Sequence, residues 1–124
     1  DTDTDTDTGA EDLEIVGSYV DNFGGAHLIT NETWTQTGIG DLHISQYDND
    51  LDYLVAQNDK TNKWNPNLWS RMDWVFVASD LYFCTSAFDA ASEEAAAKAA
   101  TPDNTDPANG GCGSFAWSAL VPQR

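Results

Sequence analysis

Three aspartates at alternate positions, Asp48, Asp50 and Asp52, followed by Asp59, have the spacing of an oxygen-ligand loop for Ca²⁺. The match is incomplete. Tyr53 stands where the sharp turn of such a loop needs glycine, no glutamate closes it, and its flanks read as strands rather than helices. An acidic hairpin turn with its charges facing water explains the same residues. Asp103, Asn104 and Asp106 form a second oxygen cluster, equally well explained as turn formers.

His27 and His43 fall on different predicted strands. If those strands pair, the two imidazoles with Asp41 or Asp21 would make a two-His, one-carboxylate metal site. A strand histidine that makes one hydrogen bond is the commoner arrangement. The segment Lys63–Trp74 is the densest in large side chains. Trp64 lies in a loop, where an exposed ring could stack on a ligand, with Asn65, Trp69 and Arg71 as neighbouring ligand-binding candidates. Trp69 and Trp74 are an odd number of residues apart, so on one strand they face opposite sides. Arg71 and Asp73 share a face and could pair, which allows a purely structural reading of this segment. Asn31-Glu32-Thr33 matches a glycosylation acceptor.

No nucleophile elbow, HExxH, P-loop or dinucleotide fingerprint is present. Carboxylates are numerous enough for a glycosidase pair, but no site is defined and the chain leaves little room for a deep cleft. The balance therefore leans away from an enzyme. With 21 acidic and 5 basic residues the net charge is −16, and no basic patch exists to neutralise phosphates or anionic lipid headgroups. The same charge favours cations, and Ca²⁺ is the one candidate cofactor. Five Trp, four Tyr and five Phe argue for a packed core rather than an acidic disordered chain.

These side chains must be placed by strands. Leu13, Ile15, Gly17 and Tyr19 alternate with polar residues, predicting a first strand that ends in the turn Asp21–Gly25. His27–Gln36 predicts a second strand, Leu42–Tyr47 a third and Tyr53–Gln57 a fourth. A polar loop, Asn58–Leu68, leads to strands at Trp69–Val77 and Leu81–Phe88. Asp89–Ala100 predicts one short Ala-rich helix with Asp89 as N-cap and Pro102 after the stop. Thr101–Gly113 reads as a loop and Phe115–Val121 as the last strand. The fold class is mainly β, either a small antiparallel meander barrel or a curved sheet covered by the helix.

The expected organisation is an acidic Asp-Thr stem at 1–12 and a single β-rich domain at 13–124. The strict Asp1–Thr8 repeat has nothing to bury and would reach roughly 26–29 Å if extended. It reads as a surface tether, a disordered tail or a weak calcium ladder. No apolar run is long enough to span a membrane, so membrane contact would need an anchor ahead of this chain. The start at Asp1 fits a mature exported form. Cys84 and Cys112 suggest one disulfide, closing a loop worth roughly 3–4 kcal/mol in the chain-entropy model. Two free thiols in a reducing compartment are the alternative. There is no CxxC for redox or zinc chemistry.

The stretches Asp21-Asn22-Phe23-Gly24-Gly25-Ala26-His27, Gln46-Tyr47-Asp48-Asn49, Ala56-Gln57-Asn58-Asp59 and Asn65-Pro66-Asn67-Leu68-Trp69-Ser70-Arg71 are similar to an uncharacterised group of small bacterial envelope proteins, often lipoprotein-like. Phe83-Cys84, Asp89-Ala90-Ala91-Ser92-Glu93 and Gly111-Cys112-Gly113 extend the resemblance over nearly the whole domain. It implies export and a Cys84–Cys112 bond, and no activity. Gly17-Ser18-Tyr19 also resembles, with Tyr in place of Trp, the strand opening of lipocalin-like barrels, which implies an architecture only.

The first functional expectation is an exported, surface-tethered, non-enzymatic domain that binds a small ligand or an envelope component. The second is a self-assembling subunit of an extracellular filament or layer, joined through sheet edges with or without Ca²⁺. The third is a small hydrolase. Nucleic acid is excluded as a partner by charge.

Overall fold

The computed structural model describes residues 11–123. Ten strands and one helix follow in chain order: β1 (Gly17–Asp21), β2 (Ala26–Ile29), β3 (Thr33–Gln36), β4 (Gly40–Asp48), β5 (Tyr53–Asn58), β6 (Trp69–Val77), β7 (Asp80–Ala90), α1 (Glu93–Ala97), β8 (Gly111–Cys112), β9 (Phe115–Ala116) and β10 (Ser118–Pro122). Strands β1 to β7 and β10 form a closed antiparallel barrel, and β8 and β9 pair as a small separate hairpin. Closure comes from β1, which pairs with β2 on one side and with β10 on the other. Every strand of the ring then has two neighbours, so its backbone groups are satisfied without an open edge.

The period-two pattern decides which side chains fill the barrel. Tyr19, Ile29, Trp34, Leu42, Leu54, Ala56, Met72, Trp74, Leu81, Phe83 and Leu120 point inward and make one buried cluster. On β6 the expected split holds: Met72 and Trp74 face in, while Arg71 and Asp73 lie on the outer wall and are also buried.

Leu13 and Ile15 are fully buried but lie outside β1, although their alternation predicts a strand there. The chain turns at residues 14–15, with the Val16 N–H donating to the Leu13 carbonyl at 3.2 Å, and the segment folds across one end of the barrel as a plug. Tyr47 Oη donates to the Glu11 carbonyl, Asn49 Nδ2 to the Asp12 carbonyl and Tyr19 Oη to the Ile15 carbonyl, fastening the plug. Glu11 and Asp12, assigned to the stem by sequence, are thus tied to the barrel. The Asp1–Thr8 repeat lies outside the described residues.

The predicted second strand is two strands. The Thr30 hydroxyl accepts from the N–H groups of Glu32 and Thr33, and this side-chain turn breaks the run into β2 and β3. The helix is shorter than predicted and begins later. Asp89 stays in β7, which pairs with β6 as far as Trp69–Ala90, and Ser92 is the N-cap, accepting from the Ala95 N–H at 3.1 Å. The short helix lies across the outer wall of β5, β6 and β7, with Ala96 buried against it. Cys84 and Cys112 form a disulfide with a Cα–Cα distance of 5.7 Å, fastening the β8–β9 hairpin to β7. The predicted last strand is interrupted at Trp117, which is buried and hydrogen-bonded to the Pro107 and Asp103 carbonyls.

Candidate functional site

With the plug at one end, the other end of the barrel is bounded by the β1–β2 and β3–β4 turns, the loop between β5 and β6, and the chain joining β7 to β10. The β3–β4 turn abuts that loop closely: Gly40 has φ +111°, and a Cβ there would run into the Asn62 amide. A pocket of about 330 Å³ opens at this mouth, lined by Gln36, Ile39, Leu42, Met72, Thr85 and Phe88. Its size is at the low end for small-molecule sites. Leu42 and Met72 are its buried floor, and Gln36 and Thr85 are its only polar side chains.

Gln36 on β3 and Thr85 on β7 come from opposite walls, four strands apart around the ring in either direction. Both also line an adjoining pocket of about 290 Å³ that contains Phe23, Phe83, Phe115 and Ser118 and borders the disulfide. Phe23 and Phe115 are 83 % and 76 % exposed, so two large apolar rings stand in water at the rim. A larger groove of about 450 Å³ lies on the plug side, where the carboxylates of Glu11, Asp48 and Asp50 stand beside Ile44 and Tyr47.

Behind the mouth sits a buried polar chain. His27 Nε2 is 2.7 Å from Asp21 Oδ2, and its Nδ1 accepts from Trp34 Nε1–H at 3.0 Å. The His27 ring packs edge-on to Phe83 at 5.3 Å. Burial alone would raise the Asp21 carboxyl. Hydrogen bonds from His27 and the N–H groups of Gly25 and Phe23, with the attraction of His27, outweigh it and hold the group below the ordinary carboxylate range. Gln36 is the register partner of His27 on the neighbouring strand.

The ligand-binding candidates read from sequence are not brought together. Trp64 is 49 % exposed with Lys63 Nζ 5.0 Å from its ring centre, and Trp69 is half-buried. The Asn65 carbonyl accepts from Asn58 Nδ2 within the loop. Arg71 clasps the outer wall to the end of the helix. It pairs with Asp73 at 2.9 Å, donates to the carbonyls of Ala97 and Ala99 at 2.9 and 3.0 Å, and lies 4.3 Å from the Tyr53 ring. None of these four lines the mouth pocket.

The metal candidates separate as well. Asp48 ends β4 and Asp50 and Asp52 occupy the β4–β5 turn at the plugged end, while Asp59 follows β5 at the mouth, so a full strand divides them. Asp48 Oδ1 accepts from the N–H groups of Asp50 and Leu51, an Asx turn. Asp59 is bonded to His43 Nε2 at 2.7 Å and to Thr61, contacts that hold its carboxyl well below the usual range. Because β3 intervenes, His27 and His43 do not meet: the first faces the interior and the second faces water. Asp41 accepts from Thr35 instead. Asp103 and Asp106 accept from Thr105 and Asn109 within their own turns. Among the described residues no three His, Cys, Asp or Glu side chains are placed to hold a metal ion.

No family model matches the chain, and neither a curated protein nor a solved structure is found that resembles it. The mouth residues carry no motif in sequence. The one signal was the inward set of β6, which includes Met72; that Gln36 and Thr85 line one pocket requires the closed ring.

Proposed function

We propose that this protein is an exported, non-enzymatic binding domain that takes a small, largely apolar ligand into the open mouth of its barrel. The observation that carries this reading is the pocket of about 330 Å³ with apolar walls from Ile39, Leu42, Met72 and Phe88 and only two polar side chains. The exposed rings of Phe23 and Phe115 extend the apolar surface at the rim. Among the described residues no carboxylate or imidazole lines the pocket, which speaks for binding rather than hydrolysis. The closed ring offers no unpaired barrel edge for strand addition, which favours a binder over a self-assembling subunit. Export is supported by the disulfide, since such bonds persist in oxidising compartments. A tether role for the Asp-Thr stem is part of the proposal on sequence grounds. The closed up-and-down ring with one plugged end is, as an architecture, like lipocalin-like barrels.

The test is titration with the neutral fluorescent probe N-phenyl-1-naphthylamine. Saturable binding is expected for the wild type and should be lost in Thr85→Trp and Ile39→Trp, which fill the pocket, at unchanged circular dichroism and melting temperature. Absence of saturable binding, or equal binding by the filled variants, overturns the reading.

A further inference from the structure

We infer that the ligand of the mouth is an uncharged amphiphile, an apolar chain or ring with a neutral hydrogen-bonding head such as a hydroxyl or amide, held between Gln36 and Thr85. This rests on the binding reading above and specifies the chemistry it selects.

Most polar groups at the mouth are already engaged. The Asn58 side chain donates to the carbonyls of Asn65 and Phe88 and accepts from Ser70. Asp21 accepts from His27, Phe23 and Gly25. His27 uses both ring nitrogens. Gln36 and Thr85 differ: among the described residues neither side chain has a hydrogen-bond partner, although both face the same pocket from opposite walls. A carboxamide offers both a donor and an acceptor, and so does a hydroxyl. A head group with one of each can bridge the two while its apolar body covers Leu42 and Met72. Ser118 supplies a further neutral hydroxyl to the adjoining pocket.

Charge excludes the other heads. Among the described residues a carboxylate or phosphate would meet no cation, because Lys60, Lys63 and Lys98 are absent from the lining and Arg71 is bound on the outer wall. It would leave water unpaired, against a protein of net charge −16. An ammonium is drawn toward the molecule as a whole but finds no carboxylate in the pocket. Asp21, the carboxylate set behind it, is already held by three donors. Desolvating either ion without a partner costs more than a neutral hydrogen bond returns.

The experiment is displacement of bound N-phenyl-1-naphthylamine by decan-1-ol, decanoate, decylammonium and decane, at physiological salt where exposed charges are screened beyond about 8 Å. Decan-1-ol is expected to displace the probe at concentrations about tenfold below either ion and below the alkane. In the double variant Gln36→Leu with Thr85→Val the advantage of alcohol over alkane, read as the ratio of their displacement midpoints, should vanish whatever the change in probe affinity. Equal or better displacement by decanoate or decylammonium overturns the inference, as does an alcohol preference that survives in the double variant. Those outcomes leave the mouth as a binding site. Failure of the wild type to bind the probe removes both readings together.

Discussion

The indole Nε1–H of Trp34 donates to Nδ1 of His27 across 3.0 Å in the barrel interior, so Nε2 of the same imidazole carries the proton that faces Asp21 at 2.7 Å. Trp34 is fully buried and His27 nearly so. The three side chains bridge β1, β2 and β3 without leaving a donor or acceptor stranded, and they fix one tautomer of the imidazole. Replacing His27 by Phe keeps the volume and leaves both the indole N–H and the Asp21 carboxylate short of a partner. A loss of about 2–4 kcal/mol is expected in urea unfolding. Asp21→Asn retains an acceptor for Nε2–H and should cost less. A His27→Phe protein as stable as the wild type would show that the chain of hydrogen bonds is not formed.

Stability should fall as pH rises from about 4 to about 7. The Asp52 carboxyl at the plugged end is pushed up to about 7, first by burial, then by its hydrogen bond with Glu14 and by the charges of Glu14, Asp48 and Asp50. Between the unfolded value of 3.8 and about 7 the folded protein therefore holds a proton that the unfolded chain has released. The sign follows: protonation supports the fold on the acid side, and that contribution is gone above about 7. Asp52 has φ 58°, a left-handed conformation that Asn adopts readily. Asp52→Asn should melt higher than the wild type at pH 8 and show a flatter profile from pH 5 to 8. Asp50→Asn should leave the slope largely in place. An unchanged slope in Asp52→Asn would refute the raised carboxyl of Asp52. The acid limit has the opposite origin, since Asp21 is held low and its contribution is lost as pH falls below its folded value.

Arg71 should matter for stability and not for binding. Its guanidinium joins Asp73 on the barrel wall to the carbonyls of Ala97 and Ala99 at the end of α1. A lysine ammonium cannot reproduce that fork, and Asp73 would remain buried. Arg71→Lys should destabilise the protein by about 3 kcal/mol while its affinity for the neutral probe stays at the wild-type value. A variant of normal stability with lost probe binding would return Arg71 to the ligand site.

Removing the cross-link should cost roughly 3–4 kcal/mol in the chain-entropy model, given a separation of 28 residues between Cys84 and Cys112. The double variant Cys84→Ser with Cys112→Ser is the cleaner test, because reductant alone leaves open how far reduction has gone. Full stability in that variant would mean that packing of Trp117 and the β10 pairing already hold the β8–β9 segment in place.

Much of the barrel was legible from local pattern. On β6 the alternation of Arg71, Met72, Asp73 and Trp74 assigns each side chain to its face, because the strand period is two wherever the strand lies. The two cysteines were sufficient to suggest the bond they form. Where a single side chain overrides the pattern, the reading failed. The Thr30 hydroxyl turns the chain inside what reads as one β-rich run, and that added strand separates His27 from His43. Leu13 and Ile15 keep the alternation of a strand while serving as a plug, since burial at those positions is all that alternation records. Sequence by itself therefore determined composition, charge, strand faces and the cysteine pair, all of which depend on neighbours along the chain. Tertiary structure alone decided the closure of β1 on β10, the open and plugged ends, and the placing of Gln36 and Thr85 in one pocket. Those arrangements bring together residues far apart in the chain, and their geometry exists only once the ring has closed.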